Sequence, residues 1–234
     1  MLNHRRRFLI AGWLPGLILL AFLLDARCAP PADEHDFERW KEKIRQFEEA
    51  DTKQAFPARQ TVFVGSSSIR LWKTSQQFPD RRILNRGFGG SKIVDSIHFA
   101  ETLFLKHRPR QIVLYAGDND LARGRTPSEV SSDFADFVRL VRKRLPQTRI
   151  AFIAVKPSIK RWELIEQIQS ANQLILEQCT KDKQLDFVDI FSPMLGSDGK
   201  PRAALFADDG LHLNDKGYEL WKTTLLPILV KHGQ

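Results

Sequence analysis

The chain has 234 residues, 42% of them hydrophobic and 27% charged, with a formal net charge of +8. That length suits one domain behind a leader, and the ordinary composition excludes a repeat or low-complexity protein. Arg5, Arg6, Arg7 and Arg27 against Asp25 carry three of those charges, and no basic stripe with interleaved aromatics follows, which excludes nucleic acid as a partner.

The leader comes first. His4-Arg5-Arg6-Arg7 precedes an uncharged stretch from Phe8 to Leu24. A charged start followed by an apolar run is the pattern of an export signal, and Arg5-Arg6-Arg7-Phe8-Leu9 resembles a twin-arginine signal. Pro15-Gly16 interrupts a run already shorter than the roughly 20 residues that span a bilayer. A removed signal over residues 1–29 is expected, giving a periplasmic or extracellular protein. An uncleaved signal-anchor, with membrane association through residues 8–24, is the alternative. Residues 30–57 are expected to form an N-terminal helical segment and 58–234 the main domain. The two cysteines supply no disulfide framework: Cys28 stands at the edge of the leader, and Cys179 falls on a helical apolar series and reads as a core thiol. No Cys/His cluster has metal-ligand spacing, and no cofactor is expected.

Asp33 to Ala50 carries Phe37, Trp40, Ile44 and Phe47 at helical spacing. Thr61-Val62-Phe63-Val64 is an unbroken apolar or β-branched run ending in Gly65-Ser66-Ser67-Ser68, which reads as a buried parallel strand entering a turn. Arg82 to Phe88 is a second strand and ends in Gly89-Gly90. Ser91 is read as the N-cap of the next helix. Gln111 to Ala116 is a third strand, followed by Gly117-Asp118-Asn119-Asp120. Thr126-Pro127-Ser128-Glu129 is a capping box with proline in the first turn. Arg149 to Val155 is a fourth strand, Trp162 to Lys181 a helix, and Asp186 to Phe191 a fifth strand. A long loop over 192–211 then leads through Asp209-Gly210-Leu211-His212 to a helix capped by Asn214. The alternation of strands and helices implies a parallel sheet covered on both faces, an α/β protein with three α/β/α layers.

Four strand-end loops therefore share one sheet edge, where open α/β sheets place their sites. A serine nucleophile there needs a base, and His212 is the best candidate among the histidines. The base needs an orienting acceptor, and Asp209 lies three residues earlier. An oxyanion needs donors, which the Ser67 N–H, an N–H at the Gly89-Gly90 pair and the Asn119 amide could supply. Lys156 and Arg161 read as solvated surface, with contact to an acidic substrate as the alternative.

Together these blocks resemble the SGNH hydrolase family, also called GDSL lipases and esterases, and within it the compact platelet-activating-factor acetylhydrolase-like group. Gly65-Ser66-Ser67 is similar to the first block, with Ser66 where Asp is usual. Asn85 to Ser91 is similar to the second, Gly117-Asp118-Asn119-Asp120 to the third, and Asp209-Gly210-Leu211-His212 to the last. The resemblance implies a flavodoxin-like five-stranded sheet and a triad of Ser67, Asp209 and His212. It implies an oxyanion hole of Ser67, Gly90 and Asn119, with Gly89 as a one-residue alternative to Gly90. It further implies metal-free hydrolysis of esters with a small acyl group through an acyl-enzyme, on a small-molecule, glycan or lipid ester. An acyltransferase on cell-envelope polysaccharide and an inactive carbohydrate- or lipid-binding module are the alternatives.

Overall fold

The computed structural model describes Met1 and residues 36–54 and 56–230, and its main compact unit starts at Phe37. Residues 2–29 of the expected leader, Cys28 among them, lie outside the described residues. β1 (Thr61–Gly65) is buried at every position. It pairs in parallel with β2 (Ile83–Gly87) on one side and β3 (Gln111–Tyr115) on the other. β4 (Arg149–Ile153) and β5 (Leu185–Val188) complete a five-stranded parallel sheet in the order β2-β1-β3-β4-β5. This is the flavodoxin-like order, with its switch point beside β1 and β3.

The helices follow in chain order: α1 (Lys41–Lys53), α2 (Ser67–Arg70), α3 (Thr74–Gln77), α4 (Ile93–His98), α5 (Ala100–Leu103), α6 (Asp118–Ala122), α7 (Pro127–Arg144), α8 (Ile165–Cys179) and α9 (Asp215–Leu225). Alternation along the strands divides the core. Val62, Val64, Ile112, Leu114, Ile150 and Phe152 face a cluster that includes Trp40, Ile44 and Phe47 of the N-terminal helical segment and Phe134, Phe137 and Val141 of α7. Phe63, Val113, Tyr115, Ala151 and Ile153 face the opposite cluster, with Trp72, Tyr218 and Trp221. Successive strand side chains point to opposite faces, so one apolar run serves both layers. The three-layer α/β/α reading from the alternation is thus observed. The helical segment around α1 contributes to the same core as the sheet.

Where the structure departs from the sequence reading, a side chain has usually taken over backbone bonds. The β4 ladder stops at Ile153 rather than Val155, although Ala154 and Val155 stay buried. The Asn172 side chain pairs with both backbone groups of Val155, at 2.8 and 2.9 Å. Ser91 does not cap α4. The N-cap is Lys92, whose backbone N–H donates to the Asp95 carboxylate at 2.7 Å. Gly117 to Asp120 starts a short helix, α6, because the buried Asp120 carboxylate accepts the Gly117 N–H at 2.9 Å and the Ile93 N–H at 3.0 Å. Burial pushes the Asp120 carboxyl up to about 7. Over 192–211 the chain forms two 3-10 turns, Ser192–Met194 and Ala203–Leu205, and Phe206 bridges to Leu213. Cys179 is a buried free thiol, pushed by burial up to about 12, which leaves it inert at neutral pH.

The membrane association expected as an alternative is corrected: among the described residues no helix is long and apolar enough to cross a membrane. Residues 8–24, on which that expectation rested, lie outside the described residues.

Candidate active site

The exit from β1 is built so that a serine can stand at its tip. Gly65 has φ of +131°, and a Cβ there would fall 1.9 Å from the Tyr115 carbonyl oxygen on β3. Only glycine lets the strand turn out against its neighbour. The Ser66 N–H then bonds the same carbonyl at 2.9 Å, and Phe88 N–H bonds the Gly65 carbonyl at 2.9 Å. The turn is held from outside as well. Asn85 Nδ2 donates to the carbonyls of Ile69 and Trp72, at 2.7 and 3.1 Å, and the Tyr218 hydroxyl donates to the Ser68 carbonyl at 2.9 Å. Ser67 is the first residue of α2, a position whose N–H has no partner within its own helix. Ser66 and Ser68 have buried hydroxyls, whereas Ser67 Oγ reaches His212 Nε2 at 2.9 Å.

His212 and Asp209 share one tight turn. Asp209 Oδ1 accepts the backbone N–H groups of Leu211 and His212, both at 2.9 Å, and Oδ2 lies 2.5 Å from His212 Nδ1. The His212 N–H, with that of Leu211 and the imidazole, holds the Asp209 carboxyl down at about 2 despite the opposing effect of burial. An ionised carboxylate only accepts, so Nδ1 carries the hydrogen and Nε2 faces Ser67 as an acceptor. Gly210 supplies the positive φ of the turn, +63°.

The loops after β2 and β3 meet each other, where Asn119 bonds Ser91 and Asp120 bonds Ile93. Gly65, Gly87 and Tyr115 are paired across the three strands, so their exits stand at one level. Gly90, with φ of +76°, is the left-handed member of the glycine pair. Asn119 lies on α6 and is nearly buried. Its Nδ2 donates to the Ser91 carbonyl at 3.0 Å, and its Oδ1 accepts from Arg161 Nη2 at 2.9 Å. A guanidinium has no acceptor, so it permits only one orientation of this amide and leaves the second Nδ2 hydrogen to point away from Ser91.

Beneath Asn119 lies a charged network that the sequence reading missed. Lys156 is not on the surface; it is 1% exposed. Its ammonium donates to Asp118 Oδ2 at 2.8 Å and to the Tyr115 hydroxyl at 2.9 Å, and Arg161 Nη1 lies 3.3 Å from the same carboxylate oxygen. Burial pushes the Asp118 carboxyl up, but the charges of Lys156 and Arg161 outweigh it, and the carboxyl sits below its usual range. Both earlier readings of Lys156, solvation and substrate contact, give way to a buried ion pair. The signal was in the sequence: a lysine directly continuing a buried apolar strand has no solvent to reach. The segment also crosses to the histidine turn, where Lys160 N–H bonds the Gly210 carbonyl at 3.0 Å. Residues 156–161 therefore join Asn119 to Asp209 and His212.

A cavity of about 360 Å³ opens beside His212, bordered by Leu71, Lys73, Leu213 and Tyr218. A larger one of about 660 Å³ lies between α8 and β5 and contains none of these residues.

Comparison with known proteins decides the family. The model of the GDSL-like Lipase/Acylhydrolase family matches residues 70–220, more than half of the chain. The chain belongs to that family. It is an ester hydrolase of the SGNH, or GDSL, type. The matched span holds Gly90, Asn119, Asp209 and His212 and begins three residues after Ser67. Among curated proteins, the human platelet-activating factor acetylhydrolase IB subunit alpha1 is 28% identical over 198 residues, 81% of this chain and 82% of that protein. A solved structure from Streptococcus pneumonia aligns with a TM-score of 0.74 at 21% identity, covering 83% of this chain and 94% of the other. A GDSL-like lipase from Bacteroides thetaiotaomicron aligns with a TM-score of 0.68 at 19% identity, covering 79% and 96%. These two structures share the fold.

The buried network carries a stability prediction. Lys156→Met keeps the side-chain volume but leaves Asp118 with Arg161 alone and the Tyr115 hydroxyl without its donor. The expected loss is about 3 kcal/mol, the scale of breaking a buried ion pair. Equilibrium urea unfolding checks this, and a loss below about 1 kcal/mol, the scale of an exposed pair, would contradict the network's role.

Proposed function

We propose that this GDSL-family hydrolase cleaves carboxylic esters with a small acyl group through a covalent acyl-enzyme on Ser67. The observation that carries the reading is His212, which contacts Ser67 Oγ through one ring nitrogen and Asp209 through the other. Ser67 Oγ attacks the carbonyl carbon as its proton passes to His212 Nε2. Asp209 holds the imidazole in the accepting tautomer and stabilises the imidazolium that forms. The negative charge then on the former carbonyl oxygen is met by the Ser67 N–H, the Gly90 N–H and the Asn119 amide. Collapse breaks the bond to the alcohol oxygen, which takes the proton from His212. Water repeats the sequence on the acyl-enzyme and releases the acid.

The small acyl group is supported by likeness to proteins named acetylhydrolases. Hydrolysis of p-nitrophenyl esters tests it. kcat/KM is expected to be highest for acetate and to fall steadily toward octanoate; a maximum at octanoate overturns the small-acyl reading. Asn119→Ala is expected to lower kcat by roughly 10²–10³-fold with little change in KM, the usual cost of one oxyanion donor. A folded variant with kcat within about twofold of wild type would remove Asn119 from the mechanism.

Export through residues 1–29 belongs to the same reading and is supported by the charged start and the uncharged run after it. Arg5→Lys combined with Arg6→Lys is expected to hold the protein in the cytoplasm, as read by cell fractionation. Normal export of that variant would point to the general secretory route.

A further inference from the structure

We infer that the alcohol part of the natural ester carries an anionic group, received by Arg39, Arg70 and Arg123 around Gly89 and Gly90. The inference rests on the reading above, which places the reacting carbonyl beside Gly90. The three arginines come from separate parts of the chain: the 3-10 turn Glu38–Trp40, the end of α2, and the residue after α6. Their guanidinium groups converge on one short stretch of backbone. Arg39 Nη2 and Arg123 Nη2 lie 3.5 and 3.6 Å from the point where a Cβ on Gly90 would stand. Arg70 Nε lies 3.1 Å from the corresponding point on Gly89. The two glycines leave a small recess with guanidinium groups at its walls, and the positive φ of Gly90 keeps a side chain from filling it.

Among the described residues, none of the three has a carboxylate partner. Arg86, Arg125, Arg139, Arg142, Arg144 and Arg149 all do. Arg39 is held over the Trp40 ring at 4.3 Å, and Trp40 itself packs at Gly90. Lys92, two residues further on, is 8% exposed and likewise has no carboxylate partner among the described residues. Like charges gathered at one point repel unless an anion joins them. Planar guanidinium groups bind phosphate, sulfate or carboxylate through paired N–H donors. A positively lined rim also draws an anionic ester toward the serine from a distance. A small acyl group has no room for the charge, which assigns it to the alcohol part.

The same arrangement could instead serve only the transient oxyanion, in which case every ester would benefit equally. Paired aryl acetates separate the two. The wild-type enzyme is compared on neutral 4-acetoxybenzamide and on 4-acetoxybenzoate, 4-acetoxybenzenesulfonate and 4-acetoxyphenyl phosphate. At least one anionic ester is expected to exceed the neutral one by tenfold or more in kcat/KM, mainly through KM, and the most favoured one names the anion. Raised salt should shrink the preference. In the triple variant Arg39→Gln, Arg70→Gln, Arg123→Gln the ratio of anionic to neutral kcat/KM is expected to fall to near one. The single variants guard against loss of folding, each lowering the ratio in part. A wild-type ratio at or below one, or a ratio unchanged in folded variants, overturns the inference. Calorimetric binding of the product phenols, 4-hydroxybenzoate against 4-hydroxybenzamide, reads the same preference without turnover. An enzyme that hydrolyses none of these acetates, yet binds the anionic phenol tenfold more tightly, would retain the anion site and discard the small-acyl esterase reading.

Discussion

The constraint on which the site depends is the parallel pairing of β1 with both of its neighbours in the same register. Gly65, Gly87 and Tyr115 are aligned across the three strands. Every loop that carries a candidate catalytic group leaves the sheet at or near that level. The alignment is tight enough to dictate residue types: at Gly65 the β3 backbone occupies the space of a side chain. At Gly87 a Cβ would fall 2.2 Å from the Arg70 backbone nitrogen. Close approach of three strand ends is thus what lets a serine, an amide and a glycine turn share one crevice. A parallel sheet buried on both faces makes this rigid, because a slip of one residue would exchange Val62 and Val64 with Phe63 across the two cores.

A second constraint concerns charge. Asp118 and Lys156 are both buried just below Asn119, where an isolated charge would be costly. They are tolerated because each satisfies the other, with Tyr115 and Arg161 completing the set. Arg161 also bonds the Asn119 carbonyl oxygen, so the network that neutralises a buried carboxylate orients the proposed oxyanion amide. The same segment touches the Asp209–His212 turn through Lys160 and Gly210. The chain thereby couples the proposed base to the proposed oxyanion amide through backbone and ion pair. Idealised packing would have used apolar residues there, and buried ionic groups retained at such a position fit the specification of one geometry.

Much of this was legible in the sequence because it rests on strong local signals. Apolar strands ending in Gly65-Ser66-Ser67, Gly89-Gly90 and Gly117-Asp118-Asn119 announce a parallel sheet and its working edge. The capping box at Thr126 is observed, with Glu129 and Thr126 bonding reciprocally. What escaped was decided by tertiary partners. Lys156 follows an apolar strand directly, which signals its burial, but nothing local names Asp118, 38 residues earlier, as the partner that makes burial possible. Ser91 has the chemistry of an N-cap, yet Asp95 recruits the Lys92 N–H and shifts the helix start by one residue. Arg39, in a segment assigned outside the main domain, comes to lie against Gly90 only because Trp40 is drawn into the core beside it.

The central claim is that one of three adjacent serines is the nucleophile and that its identity is set by the turn after Gly65. The direct measurement is peptide mapping by mass spectrometry after treatment of the folded enzyme with a fluorophosphonate. The account predicts a single adduct on Ser67, absent from Ser67→Ala and retained in Ser66→Ala and Ser68→Ala. An adduct on Ser66 or Ser68, or continued labelling of Ser67→Ala, would contradict it and move the proposed oxyanion donors with it.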